Sequence, residues 1–95
     1  MDVKHLTAGS TLYLPVLVDG GKLCAGDAHA AQGDGEVSIN GLEAPMDVTL
    51  RVSIEKNFSV EEPYLVTAPN LCPSAYIGSE YHAFVSSGPD LKINA

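Results

Sequence analysis

The stretch Asp47–Ile54, with the sequence DVTLRVSI, alternates apolar and polar residues along its whole length. Successive side chains of a β-strand point to opposite faces, so this alternation places all the apolar residues on one face. Those residues are Val48, Leu50, Val52 and Ile54. The pattern predicts a half-buried strand over Asp47–Ile54.

Other short runs with strand-like composition lie on both sides of this stretch. They are Ser10–Val18, Lys22–Ala25, Glu36–Ile39, Tyr64–Thr67 and Glu80–Ser86. Turn signals at Asp19-Gly20-Gly21 and Asn40-Gly41 separate them. No long amphipathic helix is predicted, and only Gly88–Leu91 could begin one. Short strands joined by turns predict an all-β, mainly antiparallel fold, namely a β-sandwich or jelly-roll-like segment with little helix.

Composition narrows the class of protein. The chain has 95 residues, a hydrophobic fraction of 45% and a formal net charge of -7. These values predict one β-rich domain over residues 1–95 and argue against disorder. No basic cluster is available to neutralise phosphates, so nucleic acid is not an expected partner.

The sequence shows neither a membrane-spanning segment nor a redox-active cysteine pair. The apolar run Leu12–Val18 is interrupted by Pro15 and is too short to cross a bilayer, so no membrane association is expected. Cys24 and Cys72 are far apart and form no CxxC pair, and they are interpreted as buried thiols in a reducing compartment. A cytoplasmic location is expected.

The run Gly26–Glu36, with the sequence GDAHAAQGDGE, is the densest in chemically useful residues. It combines acids, a histidine and a glutamine with glycine and alanine, which allow the backbone to approach a ligand closely. His29 follows Asp27 by two positions, so the two could share a face and bind a metal. Imidazole and carboxylate favour zinc, whereas an all-oxygen set would favour magnesium or calcium. His82, in a predicted strand, is interpreted as structural.

Glu36 is the candidate general base, since one carboxylate can activate water and then protonate a leaving group. The alternative is that Glu36 is a metal ligand and that Asp34 or Glu43 carries the protons. Gly33 and Gly35 are candidates for substrate binding, either through unusual backbone conformations or through N–H groups aimed at an oxyanion.

Gln32 could recognise a substrate amide through its own donor and acceptor, or it could cap a turn. The chain has no G-x-S-x-G motif, which argues against a covalent serine mechanism. Together with the loop carboxylates and His29, this favours water-based hydrolysis.

Four segments resemble the acetamidase/formamidase family of small-amide hydrolases. They are MDVKHLTAGSTLYLPVLV at 1–18, GDAHAAQGDGEV at 26–37, LEAPMDVTLRV at 42–52 and SSGPDL at 86–91. The resemblance implies an amidohydrolase that converts small linear amides to carboxylate and ammonia with metal assistance. Asp2 matches the last residue of the family's Gly-Gly-Asn-x-Asp motif, which implies that it belongs to the site as a further metal ligand. The resemblance also favours a site role for His29. The candidate metal ligands are then His29, Asp27 and Asp2, and the candidate catalytic residues are Glu36, Asp34 and His29.

Because the family's chains are several times longer, the resemblance also implies a truncated part of a larger amidase-like protein. Missing segments would leave apolar surface and strand edges exposed, so a homo-oligomer is expected. The alternative function is a non-catalytic β-domain that serves as an oligomerisation or interaction module.

Overall fold

The computed structural model describes residues 2–36, 38–68 and 82–86. Its strands are β1 (Thr11–Tyr13), β2 (His29–Ala31), β3 (Leu42–Glu43), β4 (Tyr64–Val66) and β5 (His82–Phe84). Every strand pair in these ranges is antiparallel, and the helical content is one 3-10 turn at Asp34–Glu36. The prediction of an all-β, mainly antiparallel fold with little helix is confirmed.

The larger sheet contains three strands in the order β1-β4-β5. Leu65, in the central strand, pairs with Leu12 on one side and with Ala83 on the other, and it is completely buried. Aromatic rings pack beside it: the centroid of Tyr64 lies 5.6 Å from that of Tyr13 and 4.9 Å from that of Phe84. These three strands form the small core of the described residues, since Leu65 is the buried apolar side chain there. Burial of apolar area is the main contribution to the free energy of folding.

The smaller sheet pairs β2 with β3. His29 lies opposite Glu43 and Ala31 opposite Leu42, with an irregularity in register between the two pairs. The connection between these strands contains the 3-10 turn at Asp34–Glu36. This pairing matters most for the site, because it brings Glu43 to His29. The described strands make contacts only within their own sheets, so a sandwich of the two sheets stays a prediction.

The prediction of a strand over Asp47–Ile54 is wrong. The segment pairs with none of the described strands, and all of its residues are exposed, Val52 to 69%. Period-two alternation describes a strand with one covered face, and such a strand also needs a neighbour for its backbone hydrogen bonds. In the described part of the chain this segment has neither.

Two other predicted strands are also wrong. No strand forms over Lys22–Ala25. Within Glu36–Ile39 none of the described residues is in a strand, and the Ile39 N–H donates to the Glu36 carbonyl at 2.7 Å. Glu36 and Ile39 both have positive φ, at 44° and 71°, which an extended strand does not allow. The predicted turn at Gly20-Gly21 is confirmed, with φ values of 80° and 71°.

The remaining strand predictions hold in shorter form. Ser10–Val18 contains β1, Tyr64–Thr67 contains β4, and Glu80–Ser86 contains β5. Cys24 is an exposed free thiol, so the prediction that it is buried is wrong. Cys72 and the helix start at Gly88–Leu91 lie outside the described residues. Among the helical elements of the described ranges, none has the length and apolarity that crossing a bilayer requires.

Candidate functional site

The imidazole of His29 is the centre of the candidate site. Its backbone is held in β2, and only 4% of its side chain is exposed. The ring carries two nitrogen atoms, and a polar atom removed from water is costly without a partner. Each ring nitrogen of His29 has two oxygen neighbours. We call the two sides of the ring the Nε2 edge and the Nδ1 edge.

The Nε2 edge faces two exposed carboxylates. Nε2 lies 3.0 Å from Glu43 Oε1 and 3.3 Å from Asp27 Oδ1. One ligand atom from each of Asp27, His29 and Glu43 fits within a group whose members all lie within 4.8 Å of one another. Two carboxylates and a neutral imidazole are a donor set that suits zinc. This edge is therefore a candidate metal site.

The Nδ1 edge faces Gln32 and Glu36. Nδ1 lies 3.1 Å from Gln32 Oε1, to which an Nδ1–H donates. Glu36 Oε1 is 2.7 Å from the same nitrogen in an ion-pair contact, and it is a buried oxygen without a hydrogen-bond partner. The Glu36 side chain is only 10% exposed. A buried carboxylate oxygen with an unused lone pair can accept a proton or a ligand.

The backbone around these side chains is unusual. Asp27 and Glu36 both adopt left-handed conformations, with φ values of 58° and 44°, and Gly35 has φ of 63°. Asp tolerates this region, but Glu does so rarely, and such outliers concentrate at functional sites. A Cβ at Gly41 would lie 2.7 Å from the His29 ring and from Glu36 Oε1, so the glycine leaves these two side chains their space.

The N-terminal segment is tied to the 3-10 turn. The Gly35 N–H donates to the Asp2 carbonyl at 3.1 Å, and Lys4 Nζ lies 2.8 Å from Asp34 Oδ2. His5 Nε2 is 3.8 Å from the other carboxylate oxygen of Asp34. The hydrogen bond from Lys4 lowers the pKa of Asp34. Asp34 therefore stays charged and is engaged with Lys4.

The structure thus brings together Asp27, His29, Gln32 and Glu36 from the predicted set. It adds Glu43, which the sequence analysis considered only as an alternative proton carrier. Glu43 reaches the site because it lies opposite His29 in the pairing of β2 with β3. Asp34 and the Asp2 backbone lie instead on the N-terminal contact. The roles assigned to these residues stay predictions.

The structure also places Gly33, Gly35 and His82. The Gly35 N–H is engaged with the Asp2 carbonyl, whereas Gly33 is exposed in the loop. His82 lies on the larger sheet, where its Nδ1 is hydrogen-bonded to the Tyr64 hydroxyl and its ring stacks on Tyr64 at 5.6 Å. This placement agrees with a structural histidine.

Electrostatics favour the charged form of His29. The hydrogen bond to Gln32 is the largest cause that raises the pKa of His29 above the ordinary 6.5, and burial opposes it. The hydrogen bond to Glu43 and the charges of Glu36 and Glu43 raise it further. A cation that binds Nε2 must compete with this proton.

Comparison with known proteins gives one consistent family. Residues 1–90 match the model of the acetamidase/formamidase family. The chain is 37% identical over 95 residues to a Schizosaccharomyces pombe protein named "Putative formamidase", covering 92% of this chain and 23% of the relative. It is 36% identical over 73 residues to a formamidase of Methylophilus methylotrophus (72% and 18%) and 33% identical over 92 residues to an acetamidase of Mycolicibacterium smegmatis (94% and 22%).

The chain therefore spans about a fifth of the length of these relatives. No solved structure matches it.

We predict that His29 in the metal-free protein titrates above 6.5 and that Gln32→Leu lowers its pKa, because the substitution removes the acceptor for Nδ1–H. Because the folded-state pKa is raised, the contacts of charged His29 stabilise the fold fully below pH 6.5 and are lost as pH rises through the raised value. Asn40→Leu, which removes an exposed amide bonded to the Ser38 carbonyl, is the control. NMR titration of the His29 ring measures both variants, and an unchanged value in Gln32→Leu would contradict the assignment.

Proposed function

Since this chain belongs to the acetamidase/formamidase family, we propose that it hydrolyses small linear amides, such as formamide or acetamide, to carboxylate and ammonia. Relatives named formamidase and acetamidase support this substrate class. The observation that carries the proposal is the environment of His29, which lies between two exposed carboxylates and one buried carboxylate. This arrangement combines a cation site with a proton acceptor.

Asp27, His29 and Glu43 are proposed to hold a divalent metal ion, with zinc favoured. The fit rests on one nitrogen and two carboxylate oxygens within a single group, with Nδ1 of the histidine fixed by Gln32. A hydrogen bond to the far nitrogen is the usual way in which a metal-binding imidazole is oriented. Zinc bound there would supply a Lewis acid that polarises the amide carbonyl and eases deprotonation of water. Asp2 is retained as a further proposed ligand.

Glu36 is proposed as the general base. Its buried Oε1 has no hydrogen-bond partner, so it can accept a proton from water as the water oxygen bonds to the amide carbon. The same carboxyl group then gives this proton to the leaving nitrogen as the C–N bond breaks. The products are ammonia and a carboxylic acid, which ionises at neutral pH.

The other two acids are less suited to proton transfer. Asp34 is paired with Lys4, and its lowered pKa makes it a weaker base. Glu43 lies on the Nε2 edge, where its Oε1 is 3.0 Å from the ring nitrogen and suits metal binding. Because the other two acids are engaged in these contacts, Glu36 is favoured for proton transfer.

Gln32 is proposed to orient His29 and to contact substrate. Its Oε1 accepts from His29 Nδ1, which leaves its side-chain NH₂ group to donate to an amide carbonyl. The Gly33 N–H is a second proposed donor to the oxyanion, while the Gly35 N–H is engaged with the Asp2 carbonyl in this structure. Such donors stabilise charge that develops in the transition state.

A second copy of this chain is proposed as a partner. Large apolar side chains are exposed along Asp47–Ile54 and also at Val16, Leu17 and Leu23. Exposed apolar surface of this kind favours association. The cytoplasmic location stays a prediction.

Replacing His29 tests the metal site. His29→Ala should weaken zinc binding by at least about ten-fold, because it removes the central ligand. His82→Ala removes an imidazole that is engaged with Tyr64 and should leave zinc affinity unchanged. Calorimetry at several pH values measures both, and affinity should rise with pH as the proton leaves Nε2. Equal affinities for the two variants would remove His29 from the metal site.

Glu36→Gln tests the proton carrier. Turnover of formamide, followed by ammonia release, should fall by about two to four orders of magnitude while metal content stays unchanged. Glu61→Gln removes the same charge from an exposed bend and is the control.

Three results would count against this assignment. Loss of metal in Glu36→Gln would make Glu36 a ligand, and near-normal turnover would remove it from the mechanism. Metal binding without turnover by the unsubstituted chain would favour the non-catalytic module.

Sedimentation velocity tests the self-association. The chain should form oligomers at micromolar concentration, and Val52→Lys should weaken them by placing a charge among the exposed apolar side chains of Asp47–Ile54. Thr49→Lys adds the same charge in place of an exposed polar residue of the same segment and is the control. A monomer under these conditions, or equal effects of the two substitutions, would contradict the proposal.

A further inference from the structure

Residues 2–5 form a strap across the turn that precedes Glu36. The strap makes a backbone contact, in which the Gly35 N–H donates to the Asp2 carbonyl at 3.1 Å. It also makes a side-chain contact, since Lys4 Nζ is 2.8 Å from Asp34 Oδ2. Two contacts of different kinds therefore hold consecutive residues of the same turn.

The turn needs such restraint. Gly33 and Gly35 flank Asp34, and glycine is the residue with the most backbone freedom to lose on folding. Gly35 and Glu36 both have positive φ, a conformation that is unfavourable for Glu. Strained conformations persist only where surrounding contacts determine them. The strap supplies contacts immediately before Glu36.

Charge strengthens the case for Lys4. Four carboxylates, from Asp27, Asp34, Glu36 and Glu43, lie on the elements around His29. Repulsion among them opposes a compact turn. Lys4 places a positive charge against the turn itself, and the lowered pKa of Asp34 is consistent with this contact.

We propose that Lys4 is a positioning residue, which holds the Asp34–Glu36 turn through Asp34 and so presents the Glu36 carboxylate to the His29 ring. Its consequence for catalysis rests on the proposed function, but its structural consequence does not. The pair is partly exposed, at 39% for Lys4 and 70% for Asp34, so its contribution is modest and sensitive to salt.

Hydrogen exchange at the Gly35 amide tests the strap directly, without reference to activity. Lys4→Met should speed exchange by about two- to five-fold, the range expected for an exposed ion pair, and should shift the ring nitrogen resonances of His29. Lys56→Met removes the same charge from a turn elsewhere and should change neither. Lys4→Arg should restore both readouts, since it keeps the charge.

A double-mutant cycle with Asp34→Asn separates the pair from general charge effects. The combined variant should exchange no faster than Asp34→Asn alone, because both substitutions break the contact between Lys4 and Asp34. In the turnover assay, Lys4→Met should lower kcat for formamide with KM unchanged.

The outcomes are distinct. Unchanged Gly35 exchange, or faster exchange with unchanged His29 resonances, would overturn the role of Lys4. Absence of amide hydrolysis in the unsubstituted chain would contradict the proposed function and leave the exchange experiment fully readable.

Discussion

The candidate site depends on the pairing of both ring nitrogens of one nearly buried imidazole. His29 can lose its water only if oxygen atoms replace it on both edges of the ring, because unpaired polar atoms are costly to bury. Glu43 and Asp27 do so at Nε2, and Gln32 does so at Nδ1. The pairing of β2 with β3 and the left-handed backbone at Asp27 are the local structures that bring these oxygens within reach.

The two edges differ in a way that suits two tasks. The Nε2 edge has exposed carboxylates that a cation can reach, whereas the Nδ1 edge has a fixed acceptor and a buried carboxylate oxygen without a hydrogen bond. A neutral imidazole with its proton on Nδ1 offers a lone pair at Nε2, which is the form that binds metals. The hydrogen bond to Gln32 therefore links the geometry of the loop to the chemistry of the open edge.

Sequence reasoning found the loop because its chemistry is local. Asp27, His29, Gln32 and Glu36 lie within ten residues of one another, so their proximity follows from chain connectivity. Glu43 is 14 residues from His29 and joins the site through strand register, which composition does not reveal. The contact of Lys4 with Asp34 spans a longer stretch and depends on tertiary packing in the same way.

The fold class was also predictable, but three of the predicted strands were wrong. Tyr64–Val66 is a strand with a neighbour on each side, so its apolar composition and its structure agree. Asp47–Ile54 has a cleaner alternation, yet no described strand pairs with it. Alternation expresses a preference for a strand with one covered face, but it does not show whether the fold provides a neighbouring strand.

The most direct test of this account is ¹⁵N NMR of the His29 ring during a zinc titration. The account predicts that zinc shifts the Nε2 resonance while Nδ1 keeps its proton and its hydrogen bond to Gln32. Loss of the Nδ1 proton, or binding of zinc at Nδ1 beside Glu36, would contradict the assignment of the two edges.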